Sequence, residues 1–238
     1  LGSIAQIPVD LCTIVLVHNP GQVEALGSID ILGEAGDLLL GQPFDLLPDT
    51  SASYVLATLL PSLLSGGAVI GADHPIEVTV IHNCLALPGA GSYVAPAAAG
   101  HHWAAPWVLG GGIGQNGSSA ISLKNASSFP AAVTLLGPSG PIDTYALLPQ
   151  GSVRAPISSG VDGPVWISST QPVTAKVVTY YALIDKAQEP VGLYTYGAFD
   201  PTRATTHVAL PMLLGGYEGW HHGYGVYIQN VGEISTTV

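Results

Sequence analysis

The sequence has little charge, and this scarcity argues against several classes of protein. Only 9% of its 238 residues are charged, and five Lys and Arg stand against 16 Asp and Glu, for a net charge of −11. Binding to nucleic acid requires clustered basic side chains that neutralise phosphates, and anionic membrane surfaces attract the same side chains. The composition therefore argues against nucleic acid and against an anionic membrane surface as partners.

Long apolar runs are also lacking, although 47% of the residues are hydrophobic. The apolar runs 11–17 and 54–64 are interrupted by turn signals and stay below the roughly 18 residues of a membrane-spanning helix. High hydropathy in short runs indicates buried strands, so we expect no membrane span.

Cysteine is scarce as well, with Cys12 and Cys84 as the two examples. Both lie in strand-like stretches within one repeat, which favours a disulfide over two buried thiols. In the chain-entropy model, closing a loop of this length stabilises the fold by about 4 kcal/mol. A disulfide, together with a first residue that is Leu1 rather than Met, fits a secreted protein whose leader has been removed. We therefore expect an extracellular or cell-surface location.

Short β-branched and aromatic runs dominate the rest of the chain. Runs such as IVLV, AVTLL and AKVVTYYAL alternate with turns rich in Gly, Pro, Asn and Ser. This spacing is typical of an all-β sandwich. The best helix candidate, residues 53–65, is interrupted by Pro61, so at most a short helix or a turn is expected there.

Internal repeats are the most informative pattern. Segments 14–21, 120–127 and 225–232 match one another and align Asn19, Asn125 and Asn230. Further matches follow in the same order: 102–112 with 207–217, 32–36 with 136–140, 46–51 with 147–152, and 66–81 with 163–178. Several matches at a nearly constant offset indicate tandem modules rather than chance similarity.

The repeats divide the chain into three parts. We assign residues 1–95 to a first β-sandwich module, 96–200 to a second, and 201–238 to extra C-terminal strands of an incomplete third repeat. The first module has little room for the Pro-containing strand that opens the second, so we predict that it lacks its first strand. Unpaired strands expose N–H and C=O groups, so another segment must complete the module.

The C-terminal segment carries a resemblance to a known group of proteins. A Leu-Pro strand at Leu210 and Pro211, a turn with Trp220 and the run 229–232 resemble the tandem repeats of long secreted bacterial cell-surface proteins. The resemblance implies immunoglobulin-like β-sandwich modules with a surface or matrix role. It implies no catalytic residues.

Repeats that are out of phase with the chain ends predict assembly. We expect a structural subunit of an extracellular filament or surface fibre, a homopolymer formed when residues 201–238 of one copy donate strands to the next. This mode is similar to donor-strand-complemented filaments. The predicted interface side chains are Val208, Leu210, Pro211, Met212, Leu214, Tyr224, Val226 and Ile228. The alternative is a fragment of a repeat-array cell-surface adhesin or glycan-binding protein.

Motifs that carry chemistry are weak. A G-x-G-x-x-G run at 112–117 precedes a strand rather than a helix, so it is interpreted as a hairpin turn. The pairs His101-His102 and His221-His222 are not at equivalent repeat positions, and neighbours on a strand point to opposite faces. No G-x-S-x-G elbow or patterned carboxylate pair is found. We therefore predict no enzyme activity, no metal site and no cofactor.

Glycans are the remaining candidate partners. Asn116 and Asn125 lie in N-x-S sequons, which are either used for glycosylation or present by chance. Aromatic residues such as Trp103, Trp107 and Trp220 either form a carbohydrate platform or belong to the core, and their alternation favours the core.

Overall fold

The computed structural model describes residues 2–10, 12–63, 65–83, 91–96, 98–111, 117–182, 190–204 and 229–232. These residues form an all-β chain with a single α-helical turn and a single 3-10 turn. The described helices are too short to cross a bilayer.

The N-terminal half, residues 2–96, contains eight strands and the helix. They are β1 (Ser3–Val9), β2 (Thr13–His18), β3 (Ala25–Leu32), β4 (Leu38–Leu46), β5 (Ser51–Val55), α1 (Leu56–Leu59), β6 (Gly66–Ala72), β7 (Glu77–His82) and β8 (Gly91–Val94). Two antiparallel sheets, ordered β1-β6-β3-β4 and β5-β2-β7-β8, pack on a shared apolar cluster. Ile7 and Ile29 contribute to this cluster from one sheet, and Val15 and Val80 from the other.

The C-terminal half, residues 98–204, repeats this arrangement. Its elements are β9 (Gly100–Leu109), β10 (Gly117–Asn125), β11 (Ala131–Gly137), β12 (Gly140–Leu147), β13 (Ser152–Pro156), β14 (Asp162–Ala182), β15 (Pro190–Gly197) and the 3-10 turn Pro201–Arg203. The long strand β14 belongs to two sheet regions, because its first part pairs with β9 and β11 and its second part with β10 and β15. A second buried apolar cluster fills this half. The strand order is therefore the same in both halves, with β14 in the place of both β6 and β7.

The prediction that the first module lacks its first strand is wrong. Strand β1 pairs with β6 along its whole length, from Ser3 opposite Ala72 to Val9 opposite Gly66. It holds the place that β9 holds beside β14. The sequence comparison missed β1 because its turn into β2 is tight: the Thr13 backbone N–H donates to the Asp10 carbonyl at 3.0 Å.

Candidate functional site

The two halves meet end to end at a contact that we call the junction. On the N-terminal side it includes the β1–β2 and β3–β4 turns, and on the C-terminal side the end of β10 and the β12–β13 loop. The Ser152 backbone N–H donates to the Glu34 carbonyl at 2.9 Å, and Gln6 Nε2 donates to the Ala126 carbonyl at 3.4 Å. These hydrogen bonds join residues more than a hundred positions apart along the chain.

Glycines allow the halves to approach closely at the junction. Gly36 has a φ of +86°, and a Cβ there would collide with the Pro149 carbonyl oxygen. A Cβ at Gly67 would collide with the Cδ atom of Lys124. Larger residues at either position would push the two halves apart.

A buried ion pair lies at the centre of the junction. Lys176 Nζ, from β14, lies 3.1 Å from Asp10 Oδ2, at the end of β1, and both side chains are buried. The other carboxylate oxygen, Oδ1, accepts hydrogen bonds from Thr13 Oγ1 at 2.9 Å and from the Cys12 backbone N–H at 3.0 Å. His82 Nδ1 lies 3.3 Å from the same oxygen. The Asp10 carboxylate is therefore surrounded by partners on both oxygens.

The electrostatics of this cluster follow from burial and from mutual attraction. Burial by itself would raise the pKa of Asp10, but Lys176, His82 and the hydrogen bonds together lower it. Burial lowers the pKa of Lys176, and the attraction to Asp10 opposes that shift. Burial first, and then the Lys176 charge, lower the pKa of His82 to about 4, so its ring is neutral at pH 7.

Asp10, Cys12 and His82 also have the composition of a partial metal site. Their ligand atoms lie within 4.8 Å of one another. The ammonium group of Lys176, however, contacts Asp10 directly and repels a divalent cation. We therefore interpret the cluster as an ion-pair site rather than a metal centre.

The predicted Cys12–Cys84 disulfide stays a prediction, because Cys84 lies outside the described residues. The geometry beside it favours the bond. The Asn83 backbone N–H donates to the Cys12 carbonyl at 2.8 Å, which brings the residue before Cys84 directly to Cys12. A sulfur in a disulfide is not a thiolate, so the bond would also remove Cys12 from metal ligation.

Lys124, from β10, is a second buried cation at the junction. Its Nζ donates to the Gln150 carbonyl at 3.0 Å, to Gln150 Oε1 at 3.2 Å and to the Asn125 carbonyl at 3.3 Å. All three of these acceptors are neutral. Burial lowers the pKa of Lys124 to about 8. Unlike Lys176, this side chain is held by hydrogen bonds to neutral groups.

The aligned asparagines occupy equivalent structural positions. Asn125 Oδ1 accepts a hydrogen bond from the Ser127 N–H at 2.9 Å, and Nδ2 donates to the carbonyls of Phe129 at 2.7 Å and Leu148 at 2.9 Å. The side chain thereby ties the β10–β11 turn to the β12–β13 loop.

Asn19 makes the same bonds in the N-terminal half. Its Oδ1 accepts from the Gly21 N–H at 2.9 Å, and its Nδ2 donates to the carbonyls of Val23 at 2.8 Å and of Leu47, the counterpart of Leu148, at 3.3 Å. The same Nδ2 also donates to the Leu46 carbonyl at 2.9 Å. Asn230 Oδ1 also accepts from the N–H two residues later, at 2.9 Å. The repeat read from the sequence therefore reflects a shared turn geometry.

The remaining predicted site residues are the two glycosylation sites, the strand-donation interface and the tryptophans. Asn125 is fully buried with its amide engaged, so the folded chain does not present it for glycosylation. Asn116 lies outside the described residues, as do the eight predicted interface side chains Val208, Leu210, Pro211, Met212, Leu214, Tyr224, Val226 and Ile228. Trp103 belongs to the core, as expected from its alternation.

The junction cluster itself was missed by sequence reasoning. One signal was available: Lys176 interrupts the apolar run of β14, where a charged side chain is expected to have a partner. The partner, Asp10, could not be named from the sequence because 166 positions separate the two residues.

Acidification should destabilise the chain between about pH 6.5 and pH 4. The ordinary pKa of a histidine is 6.5, whereas that of His82 is about 4 in the fold, so the unfolded state binds more protons in this interval. Stability therefore falls as pH falls through this window, by about 2–3 kcal/mol for this group. Asp10, whose folded pKa is lowered from 3.8, loses its contribution only at still lower pH.

Urea unfolding at pH 7, 5.5 and 4 would measure this loss. His82→Asn should flatten the curve between pH 6.5 and 4, whereas His102→Asn, at an exposed position of β9, should not. An unchanged slope in His82→Asn would contradict the assignment.

Comparisons with known proteins show no family for this chain. No protein-family model matches it, and no curated protein matches it. It has a distant structural similarity to the Thermotoga maritima 1070 protein, known from a crystal structure, with 14% identity and a TM-score of 0.34 over 42% of this chain and 94% of that chain. A similarity of this size carries no argument about fold or function.

Proposed function

We propose that this chain is a non-enzymatic structural subunit of an extracellular filament or surface fibre. Its two halves are tandem immunoglobulin-like β-sandwich modules, bounded at residues 1–95 and 96–200, that stack end to end as one stiff unit. The observation that carries the proposal is the desolvated junction, with the Asp10–Lys176 ion pair at its centre.

A junction of this kind resists bending. A buried ion pair is stable only while both partners remain together, and separating them leaves a charge in apolar surroundings at a cost of several kcal/mol. Rotation of one half against the other would separate Lys176 from Asp10 and break the Ser152–Glu34 hydrogen bond. Flexible linkers between modules have no such penalty, so this arrangement suits a rod rather than a hinge.

Assembly by strand donation is the mode proposed for residues 201–238, with another copy as partner. Its acceptor differs from the one expected, because β1 already pairs with β6 at the position assigned to a donated strand. A donated strand must therefore displace β1 or pair with an edge strand such as β4, the last strand of its sheet. The support for strand donation is therefore the repeat pattern in the sequence of residues 201–238.

Localisation tests the proposed function most directly. Antibodies against the purified chain should label intact cells of the source organism along surface filaments, in immunogold electron microscopy. Labelling only after cell lysis would contradict the proposal. A truncated chain lacking residues 205–238 addresses strand donation separately: fibres that persist after truncation would exclude donation and leave the filament role intact.

A further inference from the structure

The junction is formed by two different surfaces. The C-terminal half contributes a face that we call the plug: Lys124, Asn125 and the β12–β13 loop at 148–151. The N-terminal half contributes a face that we call the socket: the β3–β4 turn with Gly36, and Gly67 at the start of β6. Contacts between unlike faces can repeat without limit when each unit has a second face of each kind, and among the described residues each half has one that contacts no other half.

The plug occurs a second time, at the far end of the N-terminal half. There Asn19 makes the hydrogen bonds that Asn125 makes in the junction, to the residues at the corresponding positions. Asp49 has a φ of 56°, identical to that of Gln150 in the corresponding loop. His18 takes the position of Lys124, with its Nδ1 3.2 Å from the Thr50 carbonyl. The backbone of this second plug is therefore already in the docking conformation.

The second plug is uncovered. Ser152 is buried in the junction, at 8% exposure, whereas its counterpart Ser51 is exposed. Lys124 is fully buried, whereas 33% of the His18 side chain is exposed. The side chain of Asp49 is 89% exposed. The exposure of the two plugs therefore differs at the positions that the socket covers in the junction.

The socket also occurs a second time, at the far end of the C-terminal half. Gly140, the first residue of β12, has a φ of +121° and corresponds to Gly36. A Cβ at Gly36 would meet Pro149, but no atom of the described chain lies within 4 Å of a Cβ at Gly140. Pro164 is the counterpart of Gly67 in the C-terminal half. Its ring would fill the space that corresponds to the one Lys124 fills beside Gly67 in the junction. His18 is shorter than Lys124 and leaves room for that ring.

We infer that the second plug of one copy, at His18, Asn19 and 48–51, docks on the second socket of another copy, at Gly140 and Pro164. This inference deepens the proposed function, since it supplies the contact that joins subunits into a rod. The occupant is a second copy because the corresponding contact is already made inside the chain, between the aligned turns and loops of its two halves. No strand needs to be exchanged.

Two variants test the faces separately. Ser51→Trp places a bulky side chain on the plug, and Pro164→Arg places one on the socket. Matched controls are Leu47→Trp and Ser139→Arg, because the counterparts of these positions, Leu148 and Ala35, stay exposed in the junction. All four changes lie outside the two apolar clusters, and circular dichroism checks that each variant folds.

Sedimentation velocity and light scattering of the purified full chain over a concentration series give the readout. We expect the wild type and both controls to associate, each face variant alone to stay monomeric, and an equimolar mixture of the two face variants to stop at dimers. A wild type that stays monomeric, or face variants that associate like the controls, would overturn the inference.

The outcomes also separate this inference from the proposed function and from strand donation. Association that disappears on removal of 205–238, with both face variants still associating, overturns the inference and favours donation. Head-to-tail association of a protein that antibodies find only inside cells supports the inference and contradicts the surface role.

Discussion

Replacing Lys176 with Met is expected to destabilise the chain by about 3–5 kcal/mol, because it leaves the Asp10 carboxylate buried without its cation. The side chain of Lys176 is fully buried, so water cannot solvate the remaining charge. In the intact cluster, burial and the Lys176 charge lower the pKa of His82 to about 4, so at pH 7 the ammonium of Lys176 rather than the His82 ring balances the carboxylate. Urea unfolding at pH 7, followed by both fluorescence and circular dichroism, measures the loss.

Lys124→Met is the matched control for this prediction. Both lysines are fully buried at the junction, but the described partners of Lys124 are neutral acceptors. Removing Lys124 therefore leaves no carboxylate without its cation. Burial lowers the pKa of Lys124 to about 8, so burial already disfavours its charged form. We expect a loss of about 1–2 kcal/mol, smaller than in Lys176→Met, because the Gln150 and Asn125 carbonyls lose a donor but no charge is left unpaired. Equal losses in the two variants would contradict the assigned role of the ion pair.

The double variant Asp10→Asn with Lys176→Met completes the test. Removing both charges together should recover most of the loss, because the penalty arises from the unpaired carboxylate rather than from the absence of the pair. Losses that simply add would show that the two side chains act independently.

Replacing Asn125 with Ala is expected to cost about 3–4 kcal/mol. The change removes three part-buried hydrogen bonds, to the carbonyls of Phe129 and Leu148 and from the N–H of Ser127, and each contributes about 1 kcal/mol. The methyl group of Ala neither fills the space of the amide nor makes its hydrogen bonds. Thermal and urea unfolding measure the loss, and hydrogen exchange at Ser127 should accelerate.

Asn230→Ala is the control for this substitution. Asn230 also accepts a hydrogen bond from the N–H two residues later, but it is exposed, so water can replace the lost partner. We expect a change of less than about 0.5 kcal/mol. A loss of stability in Asn230→Ala as large as that in Asn125→Ala would show that burial does not determine how much the asparagine stabilises this turn.

The all-β class and the internal repeat were predictable because both depend on local patterns. Strand β2 alternates buried and half-buried residues along its whole length, which is the period of two that the sequence displays. Asn19 and Asn125 hold their own turns by bonds to residues two and four positions later, so the same local sequence produces the same turn twice. Short α1 likewise agrees with the interruption expected near Pro61.

Strand β1 and the junction were decided only by the tertiary structure. The tight β1–β2 turn shortens the first repeat, so a comparison based on constant spacing passed over β1. Asp10 and Lys176 become partners because the two halves stack, and no pattern along the chain encodes a contact across 166 positions. Periodicity reports which face of a strand is buried, whereas the pairing of distant charges depends on how complete sheets pack against each other.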